Sequence, residues 1–214
     1  MVRWFGDPDL EANLEGDDYF SRQDLDVAFR ENQLAENQKN IDLINSNPGQ
    51  KVVICSTSPR NVVKRLQDAN HALYWFCPLV DSGSLTDQLK AITGLPALNT
   101  GGTVGTAAWV LSQYLGCQNV AVVGMDLGYY MDTPRAQTQN YHSLKARVEN
   151  IEDYYITMTY PTGEQFYTDP TYYWYRSNIL DLLDGRQLYN CTGGGTLFGP
   201  GIINCEIEQW LASC

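Results

Sequence analysis

The sequence predicts an α/β protein with a mostly parallel sheet flanked by helices. Residues 51–56 and 120–124 are apolar runs with the continuous hydrophobic character of strands that are buried on both faces. Between them, residues 59–70 and 104–115 place apolar side chains at helical spacing. Strands that alternate with helices in this way indicate βαβ units and a parallel sheet.

Shorter segments complete the predicted parallel part: a strand at 73–77, a short helix at 86–92 and a strand-like run at 96–99. The first fifty residues are polar and acidic, with a loosely helical pattern at 23–45 that ends at an Asn-Pro-Gly turn. The expected domains are therefore an N-terminal polar and helical segment, residues 1–50, and one α/β domain, residues 51–214.

The last third of the chain is rich in aromatic residues. Residues 154–160 and 165–167 flank Pro161-Thr162-Gly163 and are predicted to form a β-hairpin. Asp169 and Pro170 are an N-cap residue and a first-turn proline, so a helix is predicted from there to about residue 183. This hairpin and aromatic helix are expected as a small extension of the domain. The remaining predicted elements are a short strand at 187–191, a glycine-rich loop at 192–201 and a closing helix at 206–211.

The opening unit of a Rossmann-like domain is missing from this pattern. Such a domain usually begins with a strand, a glycine-rich phosphate turn and a second strand. This chain instead opens on the irregular segment Arg3-Trp4-Phe5-Gly6-Asp7-Pro8. We therefore expect either that the first βαβ unit is lacking or that the sheet is a reduced one.

Composition excludes several classes of protein. A hydrophobic content of 43% and a charged content of 18% are typical of globular domains. The net charge of −11 argues against a general nucleic-acid-binding protein, because phosphate neutralisation needs clustered Lys and Arg. The apolar runs are shorter than the roughly 18 residues that a membrane span needs. Without a secretory signal, the expected location is the cytoplasm.

The cysteines are scattered along the chain, at Cys55, Cys77, Cys117, Cys191, Cys205 and Cys214. They form no C-x-x-C pair and have no neighbouring His, so no metal site is predicted. The first three lie in apolar runs and are predicted to be small buried hydrophobic residues. An even number of cysteines is compatible with disulfides, but a chain of this length does not need them.

The strongest candidate for a binding site is the first glycine loop, residues 99–103, which consists of Asn99, Thr100, Gly101, Gly102 and Thr103. Two adjacent glycines let the backbone turn tightly and approach a ligand. Thr100 or Thr103 can cap the helix that follows, and the N–H groups of its first turn then form an anion site for a phosphate or carboxylate. The alternative is a structural turn that only needed glycine.

Asp126 follows the predicted strand 120–124 and is the next candidate. Ligands of open α/β sheets bind outside the carboxyl ends of the strands, so Asp126 is expected to face the same crevice as the first glycine loop. There it can hold a ribose hydroxyl, a divalent cation or an acceptor hydroxyl, or it only caps the next turn. Tyr129, Tyr130, Arg135 and the segment around His142 follow in a predicted loop, and His142 is a candidate general base.

A second close-approach segment follows the predicted strand 187–191. We call residues 192–201 the second glycine loop. Asn190, at the end of the strand, and Thr192 are candidates for base or sugar contacts, and Gly193 and Gly194 for backbone contacts with a nucleotide. The alternative is a flexible tether to the last helix, but Leu197 and Phe198 should hold the loop against the body. The aromatic residues 172–175 either stack a base or a sugar ring or, as is more common, pack one face of a helix.

These motifs give the sequence a family resemblance. Residues 99–108, 115–116, 122–127 and 190–199 resemble, in this order, the 6-hydroxymethylpterin diphosphokinase MptE-like family. That family includes the motility-accessory-factor (Maf) proteins associated with flagellin glycosylation and is distantly similar to bacterial sialyltransferases. Members usually carry an N-terminal strand with a G-x-G-P-S-L-like turn and a later Asp-Pro after a second strand. Neither pattern is complete here, and Asp7-Pro8 has no strand before it.

The resemblance implies a Rossmann-like sheet and a nucleotide ligand: ATP in the diphosphokinases, a CMP-sugar in the glycosyltransferase-like members. In the sialyltransferase-like comparison, the segment matching Thr100 to Thr103 contacts the donor's phosphate and sugar. A tyrosine soon after the strand-end aspartate, here Tyr129 or Tyr130, assists the departing phosphate.

Three functions remain open at this point. The first is a nucleotide-dependent transferase, glycosyltransferase-like, that uses a CMP-sugar donor and a small-molecule or glycan acceptor. The second is a 6-hydroxymethylpterin diphosphokinase that uses ATP and Mg²⁺, for which Arg135 and Arg176 are the nearby basic residues. The third is a non-catalytic or truncated binding module of the same fold. Neither a nucleic-acid partner nor a membrane span is expected, and a homo-oligomer is compatible with the sequence.

Overall fold

A computed structural model describes residues 38–39, 42–43, 45–79, 84–145 and 148–213, except for the side chains of residues 84, 85, 142 and 143. The chain divides into two compact units, Met1–Leu98 and Asn99–Cys214. Most of the predicted N-terminal segment, residues 1–50, and of its helix at 23–45 lies outside the described residues. The described residues there, up to residue 46, have helical backbone.

The first unit contains a small parallel sheet. Its elements are β1 (Lys51–Cys55), α1 (Arg60–Asp68), β2 (Ala72–Pro78), α2 (Ser84–Thr93) and β3 (Ala97–Leu98). The strand order is β1-β2-β3 and both pairings are parallel. Two βαβ units, each with a helix between neighbouring strands, therefore build this sheet, as the alternating pattern predicts.

Helix α1 covers this sheet through one apolar stripe. Val62 and Leu66 are four positions apart, so they lie on one face of the helix, and both pack with Ile54 of β1 in a buried cluster. Val62 is 2% exposed. The helix follows Pro59, and the chain leaves it through Asn70, whose φ of 59° is left-handed and stops further helical hydrogen bonding.

The second unit contains two further sheets. Its elements are α3 (Val104–Tyr114), β4 (Ala121–Val122), β5 (Tyr129–Tyr130), a short 3-10 helix (Arg135–Gln137), α4 (Tyr141–Lys145), a second 3-10 helix (Ile151–Tyr154), β6 (Ile156–Thr159), β7 (Gln165–Thr168), α5 (Pro170–Leu183), β8 (Leu188–Asn190), β9 (Ile202–Asn204) and α6 (Ile207–Ser213). Strands β4, β8 and β9 form a parallel sheet in that order. The order β5-β7-β6 forms an antiparallel sheet.

The core of the second unit lies between the parallel sheet and helices α3 and α5. Its buried members come from every layer: Trp109, Leu127, Ile179, Leu183, Leu188 and Leu197. Helix α5 begins as predicted, because the carboxylate of Asp169 accepts hydrogen bonds from the N–H groups of Thr171 and Tyr172 and Pro170 occupies the first turn. The helix ends at Asp184, which is left-handed, and Gly185 follows.

The antiparallel sheet is an excursion from the parallel part. The predicted hairpin is confirmed: Ile156 pairs with Thr168 and Thr159 with Gln165 across the Pro161-Thr162-Gly163 turn. We call the chain between Leu127 and Thr168 the excursion. The hydroxyl of Thr168, at its end, donates to the carbonyl of Leu127, at its start, at 2.8 Å. Its two ends are therefore joined at one buried carbonyl group.

The fold is thus an α/β protein with two small parallel three-stranded sheets flanked by helices and a small antiparallel sheet. In the described part of the chain, no helix is long and apolar enough to cross a membrane.

Several local predictions were wrong. The strand at 120–124 extends only over Ala121–Val122, with Val123 67% exposed, because β4 is an edge strand and Gly124 turns the chain at a φ of 72°. Tyr129–Tyr130 form a strand rather than a loop, since β7 pairs with them. Cys117 is exposed, because it follows the left-handed Gly116 after helix α3 ends.

Candidate functional site

The N-terminus of α3 begins at the first glycine loop. Thr103 caps the helix: its hydroxyl accepts a hydrogen bond from the Thr106 N–H at 3.0 Å. The first intrahelical bond runs from the Ala107 N–H to the Thr103 carbonyl. The N–H groups of Val104 and Gly105 therefore have no acceptor within the helix, and they lie at its positive end. Val104 is 61% exposed, so this end of the helix is open to solvent at that residue.

The glycines of the first glycine loop let helix α5 approach closely. Gly101 is buried with a φ of 58°, and a Cβ there would lie 2.9 Å from Leu182 Cδ1. Asn178 donates from Nδ2 to the Gly101 carbonyl at 3.2 Å. A structural need therefore accounts for Gly101, as one of the two sequence interpretations proposed.

The rest of the first glycine loop is more open. Gly102 is exposed, and a Cβ there would lie 2.6 Å from the ring of Trp174, which is itself 54% exposed. Asn99 is exposed, and its Oδ1 accepts from the Gly101 N–H at 3.2 Å, which holds the turn. Thr100 is half-buried. An accessible aromatic ring thus stands beside the open end of α3.

Asp126 contacts the second glycine loop and follows a residue that contacts helix α3. Its side chain is exposed, and its carbonyl accepts from the Thr196 N–H at 2.7 Å. The preceding residue, Met125, packs its side chain against Gly105 in the first turn of α3. The Met125 N–H also donates to the Thr192 hydroxyl at 3.1 Å. One short segment after β4 therefore contacts the α3 N-terminus on one side and the second glycine loop on the other.

The polar side chains of the second glycine loop are used within the fold. Asn190 is 1% exposed; its Nδ2 donates to the Leu197 carbonyl at 2.8 Å and to Asn204 Oδ1 at 3.1 Å. Its Oδ1 accepts from the Thr192 N–H at 3.1 Å. Asn190 and Thr192 thus shape the loop, and the exposed Gly193 is left as the most accessible of the four predicted contact residues. Gly194 is buried against Phe166.

Arg176 of helix α5 holds the second glycine loop through hydrogen bonds to two of its carbonyl groups. Its Nε donates to the Thr196 carbonyl at 2.7 Å, and a terminal nitrogen donates to the Phe198 carbonyl at 2.5 Å. Burial lowers the pKa of this guanidinium from its usual value. Leu197 is fully buried, so the expectation that the Leu-Phe pair holds the loop against the body is confirmed.

Tyr129 belongs to a buried cluster of aromatic and polar groups. Its ring stacks on Tyr172 with centroids 5.5 Å apart, and its hydroxyl donates to Asp169 Oδ2 at 3.4 Å. The same hydroxyl accepts from the Gln139 N–H at 3.0 Å. Burial, followed by the nearby Tyr172 and Asp169, raises the pKa of Tyr129 well above its ordinary value. Its hydroxyl is therefore a structural group in this conformation.

Asp169 is the centre of that cluster and was predicted only as a helix cap. It is fully buried, and besides the two α5 N–H groups it accepts from Asn140 Nδ2 at 2.9 Å. The Tyr172 hydroxyl donates to Gln139 Oε1. The pKa of Tyr172 is raised above its ordinary value, first by burial and then by nearby charges that include Asp169 and Asp126.

Arg135 lies beside the same cluster, stacked on two tyrosines. Its guanidinium carbon is 3.4 Å from the centroid of the Tyr167 ring and 4.7 Å from that of Tyr155, and its Nε contacts Glu152 Oε2 at 3.2 Å. Both basic residues that the sequence placed near the loops are therefore engaged in contacts within the fold.

Tyr130 and His142 complete the predicted catalytic set. Tyr130 is 60% exposed, and its hydroxyl lies 3.7 Å from the position of a Cβ on Gly194, next to the second glycine loop. The backbone of His142 lies in α4 rather than in a loop, and its side chain is not among those described. Within the described part of the chain, no three His, Cys, Asp or Glu residues are grouped so that they could hold a metal ion.

The sequence indicated both glycine loops but not the cluster around Asp169. Asn140, Gln139 and Tyr172 join Tyr129 and Asp169 through contacts that span up to 40 residues of chain. The only local signal was the Asp-Pro pair at the start of α5. Arg176 was noted as a basic residue, but its carbonyl partners were not foreseeable from spacing.

The site is therefore a surface at the carboxyl end of β4 and β8 in an α/β protein, bordered by the α3 N-terminus, Asp126 and the second glycine loop. The chain matches no family model, no curated protein and no solved structure in the comparisons with known proteins.

Proposed function

We propose that the chain is a nucleotide-dependent transferase of the glycosyltransferase type, which takes a CMP-sugar as donor and a small-molecule or glycan hydroxyl as acceptor. We also propose that its fold is a reduced Rossmann-like arrangement that resembles the MptE-like and motility-accessory-factor proteins. The observation that supports the proposal best is that three segments meet at the carboxyl end of β4. Met125, which follows β4, contacts both Gly105 of helix α3 and Thr192 of the second glycine loop.

The phosphate and the base of a CMP-sugar, and the hydroxyl of the acceptor, each have a candidate partner near the carboxyl end of β4. The phosphate would bind the free N–H groups of Val104 and Gly105, where the helix dipole favours an anion. The base would stack on Trp174, which lies beside Gly102 and is 54% exposed. Asp126, exposed at the strand end, would accept the proton of the attacking hydroxyl.

Of the two tyrosines, Tyr130 is the better candidate for assisting the leaving phosphate. In the transfer, the bond between the sugar and the CMP phosphate breaks, and the acceptor oxygen bonds to the sugar carbon. A proton donor beside the phosphate oxygen stabilises the departing CMP. Tyr130 is 60% exposed, whereas the hydroxyl of Tyr129 already bonds to Asp169 and Gln139.

The engaged arginines favour this function over a diphosphokinase. Transfer of a diphosphate from ATP needs several positive charges around the phosphates. Arg176 donates to two loop carbonyls, and Arg135 is stacked between tyrosines and paired with Glu152. A donor with a single phosphate makes a smaller demand on positive charge, so a CMP-sugar fits the described residues better than ATP.

The variant Val104→Pro tests the phosphate site through the backbone. Proline is well tolerated at the first helical position, and Thr103, with φ −126° and ψ 157°, already has the backbone that precedes a proline. The change removes one N–H donor and leaves the charge unchanged. Because a hydrogen bond to a charged group contributes about 1.5–3 kcal/mol, we expect CMP to bind about ten- to a hundredfold more weakly. Isothermal titration calorimetry measures this.

The matched control is Val104→Ala, which trims the same exposed side chain and keeps the N–H. It should bind CMP like the unchanged protein. Equal CMP affinities for the proline and alanine variants would refute the phosphate site. A protein that no cytidine nucleotide stabilises, but that ATP with Mg²⁺ does, would favour the diphosphokinase instead.

One observation favours the third function, a non-catalytic binding module. Asn190 and Thr192 are two of the predicted nucleotide contacts, but their polar groups form hydrogen bonds within the protein. Such a module would bind CMP and its sugars but would neither transfer nor hydrolyse the sugar. Release of CMP from a CMP-sugar, measured with and without Asp126→Asn, separates the two possibilities: turnover that falls at least about tenfold in the variant supports the transferase.

A further inference from the structure

Two cysteines lie side by side at the carboxyl end of the parallel sheet in the second unit. Cys191 follows β8 and Cys205 follows β9, directly after the last register pair, Asn190 and Asn204. The Cys205 N–H donates to the Asn190 carbonyl at 3.2 Å, which continues the ladder by one step. The two Sγ atoms are 3.8 Å apart, and both residues are half-buried.

The spacing of paired strands suits a disulfide at this point, one step beyond the Asn190–Asn204 pair. Neighbouring strands lie about 4.8 Å apart, and the Cα atoms of a disulfide are separated by roughly 4.4–6.8 Å. The thiols of Cys191 and Cys205 are already in contact, so rotation of the side chains brings the sulfur atoms to bonding distance.

We propose that Cys191 and Cys205 form a dithiol site that a small-molecule disulfide converts into an intramolecular disulfide across the ends of β8 and β9. In the first step, the thiolate of one cysteine attacks a sulfur of the small disulfide, forms a mixed disulfide and releases one thiol. The second cysteine loses its proton, attacks the first cysteine's sulfur and releases a second thiol. The protein loses two protons and two electrons, and the small disulfide gains them to become two thiols.

The surroundings of Cys191 and Cys205 determine how fast the two thiols react with a disulfide and why they react rather than the other cysteines. Burial, with the neighbouring Cys205, raises the pKa of Cys191 to about 11. The thiolate is therefore scarce near neutral pH, and exchange should be slow there and faster in alkaline solution. Cys55 and Cys77 instead have hydroxyl groups as sulfur neighbours: Thr57 at 3.1 Å for Cys55, and Thr93 at 3.1 Å for Cys77.

The disulfide would close the second glycine loop into a ring. Thr192, the first residue in the loop, accepts from the Met125 N–H, and Thr196 bonds to the Asp126 carbonyl. Oxidation would therefore fix the part of the surface that borders Asp126. The two thiols can form this bond whether or not the protein binds a nucleotide.

The test uses the full chain and oxidised glutathione under native conditions. Free thiols are then alkylated, and digestion with mass spectrometry locates the modified cysteines. We expect a crosslink between Cys191 and Cys205, with the loss of two hydrogens and reversal by dithiothreitol. Because the bond closes a loop of about 15 residues, the Tm should rise by about 5–10 °C.

Two variants and a denatured sample complete the design. Cys117→Ser removes an exposed thiol and should leave the crosslink and the Tm rise unchanged. Cys205→Ser should give at most a mixed glutathione disulfide at Cys191 and no Tm rise. Native protein that carries glutathione on both cysteines, or links either one to another cysteine, would overturn the proposal. The peptide map of unchanged protein decides this even if Cys205→Ser fails to fold, and oxidation in urea shows the unselective pattern for comparison.

Discussion

At the residue scale, contacts between backbone segments decide which glycines the second glycine loop needs. Gly195 has a φ of 83°, and a Cβ there would collide with the Asp126 backbone. Gly193 has nearly the same backbone, with a φ of 80°, and a Cβ there would meet no atom within 4 Å. Comparing an alanine at position 193 with one at position 195 therefore separates the energy of a left-handed backbone from the energy of a collision with Asp126.

The pair of variants Gly193→Ala and Gly195→Ala measures this difference. Gly193→Ala should lower the free energy of unfolding by about 1–2 kcal/mol, the energy of a left-handed conformation for alanine. Gly195→Ala adds a backbone collision and should lower it by about 3 kcal/mol or more. Urea unfolding followed by circular dichroism gives both values. Equal losses would mean that the loop does not pack on Asp126.

The candidate site was predictable from the sequence only at this scale of single residues. Adjacent glycines before a helix and an aspartate after an apolar strand are local signals, and the structure does bring Gly105 and Met125 into contact. The sequence does not indicate that Asn190 and Thr192 would use their polar groups inside the loop. Their partners, Leu197 and Met125, follow from tertiary packing.

At the scale of elements, local chemistry made some boundaries predictable. Helix α5 starts where Asp169 and Pro170 predict, and the hairpin turns at Pro161-Thr162-Gly163, because capping and turn residues act over a few positions. Strands β5 and β9 have two and three residues. Segments this short have no periodicity to detect, and only their pairing with β7 and β8 makes them strands.

The start of α5 gives a second stability prediction. Asp169→Ala removes an N-cap and leaves the donors of Asn140 and Tyr129 without this acceptor, so we expect a loss of about 3 kcal/mol in the free energy of unfolding. Asp169→Asn keeps one oxygen for the cap and should lose less, about 1–2 kcal/mol. Thermal and urea unfolding provide the measurements. An alanine variant as stable as the unchanged protein would show that the cluster contributes nothing.

At the scale of the whole molecule, the excess of acidic residues is the dominant feature. The formal net charge is −11 at pH 7, which disfavours the compact state through self-repulsion and repels anionic ligands at long range. A nucleotide phosphate would therefore depend on local N–H donors, such as those of Val104 and Gly105. The α/β class with parallel strands was predictable from the whole sequence because alternating helices and strands leave a long-range pattern. The division into units after Leu98 was not.

The net charge also predicts how stability responds to salt. Raising the ionic strength to about 0.15 M shortens the Debye length to about 8 Å and screens repulsion between surface carboxylates. We expect the Tm to rise by a few degrees, about 2–5 °C, between low salt and this concentration. Differential scanning calorimetry measures it, with sucrose at equal osmolarity as the control. A Tm that falls with added sodium chloride would contradict the expectation.

The excursion between Leu127 and Thr168 has a consequence for how the chain can vary. Its two ends meet at one carbonyl group, and within the described part of the chain strands β4, β8 and β9 pair only with one another. Lengthening or shortening such a loop changes the closure entropy only slowly with residue number. Changes of length at the exposed hairpin turn, residues 161–164, should therefore leave the pairing of β4, β8 and β9 unchanged.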